Sequence, residues 1–181
     1  MKTIVLLTLL IPLTAFSRTE TETELTTVDS VDLERYLGVW YEVAQIPNRF
    51  QKQCVKNTTA EYSLKEKGKI RVVNRCTNKD GEIETVEGTA KVVDKATNAR
   101  LKVSFVSILG INLFWGDYWI IGLDAEYKWA IVGTPSRKYG WILSRTSELT
   151  DVQWEQINGI LTEKGYDTER FVRTEQGVDN E

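Results

Sequence analysis

Histidine is absent from this chain of 181 residues. That single absence removes the Ser-His-Asp triad, the Cys-His pair, the His-ligated haem and the His-based zinc site. An excess of positive charge is missing as well. The chain carries 23 basic and 26 acidic residues, a net charge of −3, with no basic cluster. This argues against nucleic acid or an anionic membrane surface as the main partner. Cysteine is scarce, with Cys54 and Cys76 alone. No apolar run reaches the roughly 20 residues of a membrane-spanning helix. The remaining composition, 41% apolar and 27% charged, is that of a soluble globular protein long enough for one domain.

What is present begins with a leader. Lys2, an apolar stretch over 4–13 and the small-x-small site Ala15-Phe16-Ser17 read as a secretory signal covering 1–17. A membrane anchor is the rival reading, and the shortness of the apolar run weighs against it. No cysteine follows the cleavage site, so an N-terminal lipid anchor is not expected. Export, to a periplasm or to the medium, favours pairing of Cys54 with Cys76, a bridge worth about 3 kcal/mol. Two free buried thiols are the alternative. Counting from a turn at Lys67-Gly68 does not set the two cysteines opposite each other, so the bridge requires a bulge or bend near Cys54.

Residues 18–30 alternate Thr and Glu and read as a flexible, solvated lead-in. A turn of helix within 31–37 leads into Gly38. Short amphipathic runs separated by turn residues then predict eight strands, at 39–46, 55–65, 69–77, 82–93, 100–106, 117–123, 127–133 and 139–146. The pattern is all-β and suits an eight-stranded antiparallel up-and-down barrel better than a sandwich, because no long crossover is visible. One helix follows, with Thr150 and Gln153 as a capping box, Trp154, Ile157, Ile160 and Leu161 on one face, and Gly165 as its stop. It packs outside the barrel. The barrel domain spans 31–173 and a polar tail, 174–181, frays.

Gly38-Val39-Trp40 and Trp141-Ile142-Leu143-Ser144-Arg145 carry the strongest signal. The glycine allows a tight turn beneath the barrel, the indole fills its floor, and the guanidinium lies over the indole and donates to nearby carbonyls. Alternation along the strands turns Tyr62, Asn74, Ala90, Val103, Phe105 and Trp141 inward. Small residues such as Ala60, Gly88 and Ala90 leave room inside. A core filled solid by side chains is the competing reading.

These motifs resemble those of the lipocalins. Gly38-Val39-Trp40, Asp124 with Tyr127, and Arg145 are similar to the family's three short motifs, the middle one degenerate because Leu123 replaces Thr. The run 35–44 and the run 141–146 look like the bacterial outer-membrane lipocalins and apolipoprotein D. The resemblance covers about 32–171. It implies a calyx that binds a small hydrophobic ligand, with Tyr62, Asn74 and Trp141 matching ligand contacts of apolipoprotein D-like members and Tyr118 a cavity tyrosine of bacterial ones. It brings no cofactor and no catalytic residue.

The expected ligand is a fatty acid or lysophospholipid, carried for envelope transport or maintenance by a monomer or weak homodimer. Two other classes stand beside it: a structural or dimerisation module using the link 107–116, and a thiol-dependent lipid isomerase using Cys54 or Cys76. That link is densely apolar for a loop. It reads either as a membrane-touching or dimer-forming patch or as a plug folded over the barrel end.

Overall fold

The computed structural model describes residues 24–177. The leader expected over 1–17, the start of the lead-in and the end of the tail lie outside the described residues.

Asp32 caps a single helical turn, α1 (Leu33–Tyr36), by accepting from the amides of Glu34 and Arg35. The wall strands are β1 (Gly38–Gln45), β2 (Cys54–Leu64), β3 (Ile70–Asn78), β4 (Ile83–Val92) and β5 (Arg100–Ser104). A separate hairpin, β6 (Val106–Ile108) with β7 (Ile111–Leu113), precedes β8 (Gly116–Leu123), β9 (Trp129–Gly133) and β10 (Gly140–Ser144). Each wall strand pairs antiparallel with its neighbour, and β10 returns to β1, so eight strands close a barrel as expected. One end carries α1, the Asp124 turn and Arg145. The other, the mouth, carries the β1–β2 loop and the hairpin.

Inward and outward residues form two separate clusters. Trp40, Tyr62, Ile70, Val72, Leu101, Ile120, Val132 and Leu143 pack inside. On the outer wall, Val43, Ile121, Ile131 and Ile142 receive Ile157 and Leu161 from α2 (Asp151–Glu163). The capping box holds as read, with Gln153 N donating to Thr150 Oγ1 at 3.3 Å and Thr150 N to Gln153 Oε1 at 2.9 Å. The disulfide Cys54–Cys76 is formed with a Cα–Cα distance of 5.5 Å. Its register problem is solved by irregularities between Cys54 and Lys56 and between Lys56 and Thr59.

Two expectations are corrected, and one open choice is decided. The lead-in is packed over its described part: Leu25 is buried in the outer cluster, Val31 in the inner one, and Val28 N donates to Ile120 O at 3.0 Å. Its few apolar residues, three apart, suffice to dock it. The start of the polar tail is also ordered. A last strand, β11 (Val172–Arg173), pairs with β1, and the amide of Asn57 on β2 donates to Glu175 O at 2.8 Å. The reason is geometric: the β1–β2 ladder ends at Tyr41 and Thr59, and the segment fills the wedge beyond. Finally, 107–116 is no plug. It stands out from the mouth as the β6–β7 hairpin, with Leu109 98% exposed at its tip.

Candidate functional site

The floor is built as its residues dictate. Gly38 adopts φ +92°, a conformation costly for any residue with a Cβ. Trp40 is fully buried behind it and donates through Nε1 to Tyr36 O at 2.8 Å. The Arg145 guanidinium lies 3.7 Å from the indole centroid. It donates to the carbonyls of Val39, Arg35 and Leu37 at 2.7–2.9 Å. Asp124 closes the neighbouring turn by accepting from the amides of Glu126 and Lys128. Tyr127 accepts from Asp32 N at 2.8 Å.

Above the floor three phenols meet. Tyr118 Oη lies 2.8 Å from both Tyr36 Oη and Tyr62 Oη. Three hydroxyl protons serve two contacts, so one O–H is left to donate elsewhere. Burial pushes Tyr62 up to about 12, and Tyr36 and Tyr118 further above their ordinary range, so all three stay neutral at physiological pH. With Ala90, Leu101 and Val103 they bound a cavity of about 10 Å³, room for about one water molecule. The small residues do not leave the open space the sequence suggested, because the tyrosine rings and Trp40 occupy it and Phe105 lies over Gly88.

The other expected residues sit higher in the barrel. Asn74, opposite Ala60 and Val86, has a buried Oδ1 with no hydrogen-bond partner. Trp141, stacked on Tyr139, donates through Nε1 to Gln51 Oε1 at 2.9 Å. Phe105 is half exposed at the mouth. Tyr62, Tyr118, Ala90 and Val103 thus converge on one cavity, while Asn74, Trp141 and Phe105 form an upper level.

Glu42 was missed. It is the only carboxylate buried among the described residues, 4% exposed. Gln51 Nε2 donates to its Oε2 at 2.6 Å and Thr174 Oγ1 to its Oε1 at 2.9 Å. Burial nevertheless pushes its carboxyl up to about 7, against the pull of those two bonds. The signal was available, since Glu42 shares its parity with Trp40. Tyr36, Gln51 and Thr174 carried none, because they arrive from a helical turn, a loop and the C-terminal segment.

A closed antiparallel barrel, sealed at one end and lined by apolar side chains with a few buried polar tips, is the frame of a protein that binds small hydrophobic molecules. Both cysteines are consumed by the disulfide, which removes the thiol on which the isomerase reading depended. The chain belongs to the lipocalin family: the family model described as Lipocalin-like domain matches residues 31–176. It is similar to temperature-induced lipocalin-1 of Arabidopsis thaliana, 39% identical over 156 residues, with 84% of this chain and 83% of that protein covered. It is also similar to outer membrane lipoprotein Blc of Escherichia coli strain K12, 40% identical over 152 residues, with 83% and 82% covered. Insecticyanin from the tobacco hornworm Manduca sexta shares the fold, with a TM-score of 0.69 at 23% identity over 84% of this chain and 85% of that one.

Proposed function

We propose that the protein is an exported carrier of fatty acids or lysophospholipids, held in the barrel interior for envelope lipid transport or maintenance. The observation that carries this reading is the sealed apolar interior with unspent polar groups: the surplus tyrosine O–H and the unpartnered Asn74 Oδ1. Burying an acyl chain of roughly sixteen carbons gains about 12 kcal/mol gross at about 0.8 kcal/mol per methylene. Immobilisation and head-group desolvation take back several kcal/mol. Micromolar binding follows without covalent chemistry. The leader and the disulfide support a periplasmic or secreted location. Native mass spectrometry of the protein purified from its own host tests the reading. A lipid adduct at one-to-one stoichiometry is expected; adduct-free protein that also takes up no added acyl lipid contradicts it.

The exposed hairpin supports a second element of this reading, contact with a lipid surface. Leu109, Phe114, Ile111 and Ile108 are 98%, 84%, 65% and 58% exposed, and no charged residue lies between Lys102 and Asp117. Lys91 sits 4.2 Å from the Trp115 ring at the hairpin base, a pair suited to the head-group level. Leu109→Asp is expected to lower co-sedimentation with phospholipid vesicles. Unchanged sedimentation, or loss of a dimer by light scattering, contradicts this assignment.

A further inference from the structure

An acyl ligand needs a cavity of several hundred cubic ångströms, far more than the 10 Å³ enclosed above the floor. Part of the wall must move to admit one. Each of β1–β5 and β8–β10 buries at least one apolar side chain, which ties it to a core. One further stretch of wall does not. β1 and β2 are laddered from Gly38 and Tyr62 up to Tyr41 and Thr59, and then diverge. Above that point the C-terminal segment lies between them. On the β1 side, β11 pairs with Ala44 and Gln45, and Thr174 N donates to Val43 O at 3.1 Å. On the β2 side, Glu175 O accepts from Asn57 N and Gly177 N donates to Asn57 Oδ1, both at 2.8 Å. Gln176 joins the two sides, since its Nε2 donates to Glu42 O and to Thr58 O, both at 2.8 Å. A primary amide has two N–H groups, so one side chain serves both strands.

No side chain from Val172 to Gly177 is buried. Hydrogen bonds and the stacking of Arg173 over Trp154 seat this segment, with no buried apolar side chain to anchor it, which puts it at the low end of local stability. The interior lies directly behind: Thr174 Oγ1 donates to Glu42 Oε1 at 2.9 Å, and Glu42 in turn faces Tyr62. We propose that 174–177 is a removable stave of the barrel and Gln176 its pin: when the segment lifts, a slot opens between β1 and β2, and the acyl lipid passes through the side wall. The lipid is that of the carrier reading, on which this inference rests. Lifting breaks no bond between β1 and β10 or between β2 and β3, and the disulfide still holds the mouth end of β2. The Glu42 and Thr58 carbonyls accept from water while the slot is open, so the open form is not left with orphaned acceptors.

Stopped-flow mixing of the delipidated full chain with a fluorescent lysophosphatidylcholine tests the stave, beside Gln176→Met, which keeps the side chain's length and loses both donors. Association and dissociation are both expected to quicken about tenfold in the variant, the effect of losing two hydrogen bonds on the open fraction, while Kd changes by less than about threefold. Unchanged rates overturn the proposal, because the lipid then enters elsewhere. Faster dissociation alone also overturns it, because Gln176 is then a ligand contact. Hydrogen exchange separates a lifted stave from a loosened barrel without any lipid. The amides of Asn57 and Thr174 are expected to lose protection in Gln176→Met while those of β3 and β9 keep theirs; loss across all of them, or in none, overturns the stave. Absence of uptake by the full chain contradicts the carrier reading and the slot together, whereas uptake that Gln176→Met leaves unchanged contradicts the slot alone.

Discussion

At Glu42 burial and hydrogen bonding oppose each other, and burial wins. A carboxyl pushed up to about 7 in the folded barrel binds its proton more tightly than in the unfolded chain. Its contribution to stability is therefore fully present below the unfolded value, about 4.5, and is lost as pH rises through about 7. The difference corresponds to about 3 kcal/mol. Glu42→Gln is expected to flatten the fall in denaturant midpoint between about pH 5 and pH 8; a variant as pH-sensitive as its parent contradicts the assigned titration. Trp40 acts at the same scale with the opposite logic, since it is wholly apolar in role except for one N–H, and that N–H is satisfied by Tyr36 O. Trp40→Ala removes the floor and leaves Arg145 with no ring to cover, at a cost of about 3–5 kcal/mol. An unchanged melting temperature contradicts the floor assignment.

Among the elements, the disulfide joins the mouth ends of β2 and β3 where the ladder is irregular, so the covalent bond replaces pairing that the bulges interrupt. Reduction is expected to lower stability by about 3 kcal/mol and to raise amide exchange chiefly over 53–58. Uniform loss of protection across the barrel contradicts a local role. The eight wall strands were legible because each alternates over a face that must be buried, and a slip of one residue would expose the whole set. The β6–β7 hairpin and β11 were not. The hairpin does alternate, with Ser107 opposite Asn112 on one face and Val106, Ile108, Ile111 and Leu113 on the other, but its strands are three residues each, too short for the pattern to stand out from an apolar link. The last strand is two residues of an exposed, charged segment, placed only by the gap between β1 and β2, which no local pattern records. The capping box was readable because its signal is local in sequence.

For the whole molecule, parity told which side chains face inward but not how much space they leave. Tyr62, Tyr118, Ala90 and Val103 do meet at one cavity, yet its volume is set by ring packing among Tyr36, Tyr62, Tyr118 and Trp40, which alternation does not specify. The closed interior and the lipocalin fold agree only if the barrel opens to admit its ligand. Calorimetric titration of the delipidated protein with a lysophospholipid and with a fatty acid tests this most directly. Saturable one-to-one binding of at least one, with a negative heat-capacity change from buried apolar surface, is the predicted result. Heats of dilution alone for both ligands would mean that the barrel stays shut on its own side chains.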